Sequence, residues 1–430
     1  MDTTRRSPGR RRARHNAGMR SVQDHLAAVL AAVGPVAPLD VVLADAVGCI
    51  LAADVVASVD VPALRLAERD GYAVAAQDTV LALDAGGAVQ SMPVAHDVLA
   101  GATAPLRLAP GQAVRVASGA PLPTGADAVV PVEETDHGTA RVSFQRIARS
   151  GQHIREVGSD VRSGDVLIGA GTRLGARQLA VAAALGRGRL RVHPTPRVVL
   201  VSIGDELVEP GSPPRDGSVY EANGHWLEAA VRDTGAAARR VGIIGDERVA
   251  LREALEDQLV RADLMVTTGG LSEYARDTVK DVLAPLGTVR FDNVAMTPGH
   301  RHGFGTVGGG LGGDGAVPLF ALQGHPVAAQ VSFEVFVRPA LRAMAGHPEL
   351  FRPSVTATAT TGWTSPAGMR QFVPAVVVGS PDEGYQVSPV GDPSVVSVAA
   401  LARANALAVV GEQDLAVRPG QRVHCLVLEG

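Results

Sequence analysis

The stretch that most constrains the fold is the short apolar run Val198–Ser202, which is followed by Gly204 and two carboxylates, Asp205 and Glu206. An unbroken run of mostly β-branched residues is typical of a parallel strand that is covered on both faces. In open α/β sheets, ligands bind beyond the carboxyl ends of such strands. The acidic pair is therefore a candidate site, although helix capping on a solvated loop explains it at least as well.

Alternation of strands and helices continues well beyond this run. The patterns predict strands at 198–203, 239–244, 263–268, 288–296 and 317–322, and helices at 223–233, 247–261, 276–285 and from Pro326 onward. Such alternation indicates a mostly parallel sheet with right-handed crossovers. Shorter alternating segments with many turn residues lie on both sides, which is typical of β-rich domains. Separate helices are predicted at 20–34 and 177–185.

Composition excludes several functional classes. The chain has 430 residues, of which 46% are hydrophobic, so it can bury a substantial core. Its formal net charge of −4 argues against a nucleic-acid-binding protein. The apolar run 26–33 is too short to span a membrane. The two cysteines, Cys49 and Cys425, match no metal or redox spacing, so a reducing cytoplasm is the expected compartment.

A glycine-rich loop, Thr267 to Ser272, ends one predicted strand and precedes a helix. Glycines let backbone N–H groups approach an anion, and a helix N-terminus favours negative charge. A methyl group at Gly270 is therefore expected to weaken anion binding. A plain tight turn explains the loop about equally well. The residues predicted to contact a ligand at this edge of the sheet are Thr268, Gly269, Gly270, Ser272, Pro298, Gly299, His300, Gly324, His325 and Pro326.

Carboxylates that face a phosphate pocket commonly hold Mg²⁺ together with the ligand's oxygens. Asp205, Asp246 and Asp277 are the predicted metal ligands. The alternative is helix capping, because Asp246 precedes one predicted helix and Asp277 lies in the first turn of another. A zinc site made by the histidines at 300, 302 and 325 is a further alternative, although no fourth ligand is evident.

Several motifs, each weak alone, together resemble the MoeA and gephyrin E-domain family, the molybdopterin molybdenumtransferases. They occur in the family's order and spacing over residues 20 to 430. They are Val61-Pro62, Asp70-Gly71-Tyr72-Ala73-Val74, Ser118-Gly119-Ala120-Pro121, Arg155-x-x-Gly158-x-Asp160, Gly204-Asp205-Glu206-Leu207, the Thr-Gly-Gly-Leu-Ser loop with Asp277 and Lys280, and Pro298-Gly299.

The resemblance implies an elongated homodimer with four domains per subunit. These domains are 20–50 with 149–192 (mixed linker), 51–148 (inserted, β-rich), 193–347 (three-layer α/β, molybdopterin-binding) and 348–430 (β-barrel-like), after a disordered basic tail at 1–18. The same resemblance implies a reaction in which Mg²⁺ assists insertion of molybdate into adenylated molybdopterin, with release of AMP. Asp205, Glu206, Asp246 and Asp277 would then be catalytic, while Asp70, Tyr72, Ser118 and Lys280 would join the substrate-binding set. Molybdopterin adenylyltransferase and molybdoenzyme chaperones are implied partners.

The pocket wall departs from the family pattern. Thr297 and His300 stand where the family has two lysines, and His325 replaces an asparagine. Losing two cations at a phosphate site costs a few kcal/mol unless they are replaced. Arg276, Arg301 and His300 are the candidate replacements, and histidines would make anion affinity fall as the pH rises.

Two alternatives remain open, one favoured by the missing lysines and one by the α/β domain, which the adenylylating enzyme shares. The first is a paralogue that binds a molybdopterin-like ligand, or scaffolds cofactor synthesis, without turnover. The second is the neighbouring step, adenylylation of molybdopterin, against which the flanking β domains argue.

Overall fold

The computed structural model describes residues 18–84, 91–102, 106–271, 278–308 and 315–428. The chain divides into two compact units, and each is described by itself. Unit 1 comprises Met1–Ala53, Gly171–Gly175 and Arg189–Gly430, and unit 2 comprises Asp54–Ala170 and Ala176–Gly188. In the described ranges, no helix is both long enough and apolar enough to cross a membrane.

The α-helices are numbered in chain order through the described residues. They are α1 (Val22–Ala32), α2 (Ala76–Asp84), α3 (Ala176–Ala184), α4 (Asn223–Asp233), α5 (Arg248–Leu259), α6 (Thr278–Leu283), α7 (Pro326–Ser332) and α8 (Arg338–Met344). A π-helical stretch, Phe333–Val337, joins α7 to α8. The Ser21 side chain caps α1 by accepting a hydrogen bond from the Asp24 N–H, as its position before an apolar repeat predicts.

Unit 1 is built around a six-stranded sheet whose spatial order is Ala237–Arg240, Arg197–Ser202, Leu264–Thr268, Val317–Leu322, Arg301–Val307 and Arg290–Asn293. The first four strands are parallel. Alternate side chains enter two apolar clusters, with Leu200 and Val266 on one face and Val199 and Met265 on the other. Helices α1, α4 and α7 cover the first face, and α5 and α6 cover the second. The predicted three-layer, mostly parallel fold is confirmed.

Two predictions about the edge of this sheet were wrong. The segment 288–296 is not one strand, because Arg290–Asn293 belongs to the sheet whereas Met296–Thr297 pairs elsewhere. The sequence patterns predict no strand between residues 296 and 317, but Arg301–Val307 is an antiparallel strand. Its glycines mask the strand pattern and are required by packing, since a Cβ at Gly303 would lie 2.7 Å from the Phe291 ring. Because this strand is antiparallel, it begins at the edge where the parallel strands end.

The C-terminal part of unit 1 is a closed barrel. Its strands are Ser354–Ala359, Arg370–Ser380, Gly384–Pro389, Ala406–Val410 and Arg422–Val427, with Met296–Thr297 added alongside. The long strand Arg370–Ser380 pairs with the strands on both sides of it, which closes the ring. The predicted β-barrel-like C-terminal domain is confirmed.

Unit 2 contains a five-stranded sheet in the order Ala128–Pro131, Gly71–Val74, Ala113–Val116, Met92–Val98 and Arg141–Val142. The sequence Asp70-Gly71-Tyr72 predicts a turn between two short segments, but Gly71 and Tyr72 lie in a strand inside this sheet. A Cβ at Gly71 would lie 2.1 Å from the Val130 carbonyl oxygen. That glycine therefore serves close strand packing rather than a turn.

The remaining strands form small sheets. Leu39–Val42, Arg189–His193 and Ile50–Leu51 make a three-stranded sheet, and the two-stranded pairs are Leu66–Ala67 with Ile154–Arg155, Val55–Val56 with Val166–Ile168, Leu207–Val208 with Val219–Tyr220, and Trp363–Thr364 with Ala416–Val417.

Candidate functional site

A cavity of about 540 Å³ opens at the carboxyl edge of the parallel strands in unit 1. It is lined by Gly204, Asp205, Glu206, Asp246, Glu247, Gly270, Leu271 and Thr278. Three loops meet here: the one with Asp205 and Glu206, the one with Asp246 and Glu247, and the glycine-rich loop after Thr268. Each follows a parallel strand or its extension. The described wall is strongly acidic, because its charged residues are four carboxylates: Asp205, Glu206, Asp246 and Glu247.

The carboxylates of Asp205 and Asp246 each face the backbone N–H of the other residue. The Asp246 N–H donates to the Asp205 carboxylate at 3.1 Å, and the Asp205 N–H lies 3.5 Å from the Asp246 carboxylate. Gly245 permits this approach, since a Cβ there would lie 2.6 Å from the Asp205 carboxylate oxygen. The pair thus brings two carboxylates to one wall of the cavity. Oxygen donors in this arrangement suit a hard divalent cation.

Capping of α5 is performed by Glu247, not by Asp246. The Glu247 carboxylate accepts hydrogen bonds from the N–H groups of Ala250 and Val249, at 2.8 and 3.1 Å. These hydrogen bonds lower the pKa of Glu247, because they stabilise its charged form. The capping alternative for Asp246 is therefore wrong, and its carboxylate faces the Asp205 loop instead.

Close packing explains why two glycines follow the strand Leu264–Thr268. Gly269 has a φ of +89°, and a Cβ there would lie 2.1 Å from the Ile203 carbonyl oxygen. Gly270 has a φ of +67°, and a Cβ there would lie 2.3 Å from a Val279 methyl carbon. Thr268 is buried at the strand end. Both glycines are thus needed by the fold itself, whatever the loop binds.

Gly270→Ala should therefore lower the free energy of unfolding by about 1–3 kcal/mol, because the methyl group adds both backbone strain and a clash. Gly211→Ala is the matched control, since Gly211 has a φ of +88° but nothing within 4 Å of the added carbon. It should cost about 1 kcal/mol from strain alone. Equal losses in chemical denaturation would contradict the clash with Val279.

Several predicted site residues lie outside the described residues. These are Ser272, Asp277 and the proposed replacement cation Arg276. The third predicted metal ligand is among them. Within the described ranges, no group of three or more His, Cys, Asp or Glu side chains is arranged to hold a metal ion.

The loop after Val317–Leu322 lies against the glycine turn. A Cβ at Gly324 would be 3.4 Å from the Gly269 Cα. Pro326 begins α7, as predicted, and His325 caps that helix by accepting from the Val327 N–H at 3.3 Å. Burial lowers the pKa of His325, so this ring is neutral at neutral pH.

Asn223 is a site-edge residue that the sequence did not indicate. It is the first residue of α4 and is 7% exposed. Its Nδ2 donates to the Gly324 carbonyl oxygen at 2.7 Å. A helix-start asparagine followed by glycine was the only available signal, and it is common in ordinary helices.

The third loop carries Pro298 and Gly299 behind the same edge. Gly299 has a φ of +89°, and a Cβ there would lie 2.9 Å from the Ser332 hydroxyl. His302 Nε2 lies 2.6 Å from the Gly299 carbonyl oxygen, so the imidazole holds this loop. His302 is buried against His25, with ring centroids 5.3 Å apart. The zinc alternative is wrong for the described residues, since His302 and His325 have separate structural partners.

Positive charge remains near this edge. Lys280 and Arg301 line a second cavity of about 190 Å³ together with Asn293 and Asp292. Asp292 is paired with Arg20 at 3.2 Å. Arg301, predicted as a replacement cation, thus lines the same cavity as Lys280, and half-buried His300 precedes it.

In unit 2, two of the three predicted residues come together. The Ser118 N–H donates to the Asp70 carboxylate at 2.6 Å, and the Ser118 hydroxyl donates to the Glu68 carbonyl oxygen. Tyr72 is 1% exposed, and its hydroxyl donates to the Gly138 carbonyl oxygen. Asp70 and Ser118 therefore form one exposed loop cluster, whereas Tyr72 packs in the core of unit 2.

Three family models match most of the chain. The MoeA N-terminal region (domain I and II) matches residues 20–186, the probable molybdopterin binding domain matches residues 199–343, and the MoeA C-terminal region (domain IV) matches residues 356–428. The matches follow one another without overlap.

Similar proteins cover nearly the full length. Molybdopterin molybdenumtransferase 1 of Mycobacterium tuberculosis is 40% identical, over 95% of this chain and 99% of that protein. Molybdopterin molybdenumtransferase of Bacillus subtilis is 31% identical, over 90% and 89%. The crystal structure of a molybdopterin biosynthesis MoeA protein from Pyrococcus horikoshii aligns with a TM-score of 0.79 and 26% identity, covering 96% of this chain and 100% of that one.

Proposed function

The chain belongs to the MoeA family and is a transferase of molybdenum cofactor biosynthesis, and we propose that it inserts molybdate into adenylated molybdopterin with Mg²⁺-dependent release of AMP. The observation that carries the detailed reaction is the Asp205–Asp246 pair in the 540 Å³ cavity. It provides oxygen ligands beside a turn at the carboxyl edge of the sheet, where α/β proteins bind ligands.

The donor set fits Mg²⁺. Asp205 and Asp246 offer carboxylate oxygens from two neighbouring loops, and we assign Asp277 as the third ligand. When bound, Mg²⁺ supplies neutralisation of the charge that develops as the phosphoanhydride is cleaved. Glu206 lies on the same wall, with its carboxylate folded over Gly204, and it is assigned to orient the attacking oxygen.

Substrate binding is assigned to the loops at the same edge. We assign it to Thr268, Gly269, Gly270 and Ser272 after one strand, and to Pro298, Gly299, His300, Gly324, His325 and Pro326 in the two other loops. Of these residues, Gly270 lines the 540 Å³ cavity. Lys280, with Arg301 beside it, supplies positive charge for the phosphate groups, because the family's two lysines are absent. Arginine suits this role, since its fork matches phosphate oxygens.

The homodimer, the four-domain division and the contribution of Asp70, Tyr72 and Ser118 to substrate binding remain parts of this proposal. So do the adenylyltransferase and molybdoenzyme chaperones as partners. A cytoplasmic location is proposed because both cysteines are buried free thiols, which fits a reducing compartment.

The decisive experiment combines purified protein, molybdate, Mg²⁺ and adenylated molybdopterin. AMP should be released, and removal of Mg²⁺ by EDTA should stop the release. Tight binding of adenylated molybdopterin without AMP would instead identify a non-catalytic paralogue. Formation of adenylated molybdopterin from ATP would identify the preceding step.

A further inference from the structure

We propose that Asn223 is a positioning residue that holds the Gln323–His325 loop against the Gly269 turn and thereby sets the affinity for the adenylated substrate. The role in substrate affinity rests on the proposed function. The role in loop position rests on geometry within unit 1 alone.

The orientation of the Asn223 amide is fixed by two partners of opposite kind. Its Oδ1 accepts from Trp226 Nε1 at 3.0 Å, and its Nδ2 donates to the Gly324 carbonyl oxygen at 2.7 Å. An indole N–H only donates and a carbonyl oxygen only accepts, so a flipped amide would lose both hydrogen bonds. Trp226 is itself held edge-on against the Phe333 ring at 5.8 Å.

Helix α4 does not need Asn223 in order to begin. Glu221, which is 2% exposed, caps the helix start by accepting from the Gly224 N–H at 2.7 Å. The Ser202 hydroxyl donates to the same carboxylate oxygen at 2.9 Å, which ties the helix start to the sheet. The Asn223 Nδ2 therefore joins the start of α4 to the Gln323–His325 loop, while Oδ1 is held within the helix by Trp226.

Gly324 can be held only through its backbone. It has no side chain, and it lies against Gly269: a Cβ added to Gly324 would be 3.4 Å from the Gly269 Cα. The Gly269 N–H in turn donates to the Leu322 carbonyl oxygen at 3.2 Å. Fixing the Gly324 carbonyl therefore fixes the relative position of two loops at the proposed substrate-binding edge.

The test variant is Asn223→Asp. It keeps the acceptor for Trp226 but replaces the donor with a carboxylate oxygen that faces the Gly324 carbonyl. The KM for adenylated molybdopterin should rise about tenfold, with kcat changed by less than about threefold, because the lost interaction positions a binding loop. Hydrogen exchange of the amides in Gly324–Val327 should become faster.

The matched control is Asn405→Asp. Asn405 Nδ2 donates to the Val377 carbonyl oxygen at 2.9 Å in the barrel, so the same chemical change is made away from the sheet edge. The control should lose stability, with KM and exchange at Gly324–Val327 unchanged. Asn223→Ala, which removes the donor without adding repulsion, should show the same KM rise if Asn223→Asp does not fold.

Unchanged exchange at Gly324–Val327 in the Asn223 variants would overturn the proposal, as would a stability loss with wild-type KM. If the wild-type protein releases no AMP, the proposed function fails. The exchange comparison between the Asn223 and Asn405 variants still decides the loop-positioning role in that case.

Discussion

Asp246→Asn should lower the rate of AMP release by ~100-fold, since one charged oxygen ligand of the proposed cation is lost. The fold should survive, because the asparagine oxygen can still accept from the Asp205 N–H that lies 3.5 Å from the native carboxylate. Steady-state release of AMP, at the Mg²⁺ concentration that just saturates the wild-type protein, measures the loss. Raising the Mg²⁺ concentration should recover part of the rate.

Asp136→Asn is the control for this substitution. Asp136 also accepts backbone N–H hydrogen bonds, from Ser143 at 2.9 Å and Gly138 at 3.2 Å, and these hold its pKa below the usual value. It lies in unit 2 on a turn, so turnover should stay within about twofold of wild type. Wild-type turnover in Asp246→Asn would remove Asp246 from the proposed chemistry.

Lowering the pH from about 6.5 to about 4.5 should cost the folded state about 4 kcal/mol through two histidines. Burial lowers the pKa of His25 to about 4, with Arg20 adding to the effect, and burial against His25 lowers the pKa of His302 to about 3. Unfolded histidines take up protons near pH 6.5. Stability from these groups is therefore complete above that pH and is lost as the pH falls, because only the unfolded state gains the protons.

His25→Phe isolates one of the two contributions. Neither ring nitrogen of His25 has a hydrogen-bond partner in the described structure, and the ring packs edge-on against Phe336. A phenyl ring keeps this packing and does not titrate. The variant should therefore lose about 2 kcal/mol less than wild type between these pH values, as measured by urea denaturation. An identical pH dependence would show that His25 is protonated in the folded protein.

Local signals determined which elements could be predicted. The bounds of α4, Asn223–Asp233, and of the strand Val317–Leu322 were predicted correctly. Both have clear limits in the sequence: Gly235 follows the helix, and the strand is a continuous apolar run before a Gln-Gly pair. The cavity at the carboxyl edge followed from the same alternation, because the ends of parallel strands meet at one edge.

Features that depend on tertiary contacts could not be predicted in this way. The strand Arg301–Val307 contains two glycines that only the neighbouring Phe291 and Thr288 explain. Adjacent acids gave no indication that Glu247 caps the helix while Asp246 turns to the Asp205 loop. The partner of Asn223 lies 101 residues away along the chain, a distance at which no local pattern carries information.

The pairing of Met296–Thr297 with the barrel has a consequence for how the protein can be divided. These two residues run parallel to Arg370–Gln371 and lead directly into Pro298 and Gly299. The barrel is therefore joined by backbone hydrogen bonds to the segment that leads into the Pro298–Gly299 loop, and it is not an independent domain. Truncation before residue 354 would remove Arg370–Gln371, the strand partner of Met296–Thr297. Shortened versions of this chain therefore cannot report on the chemistry of the intact enzyme.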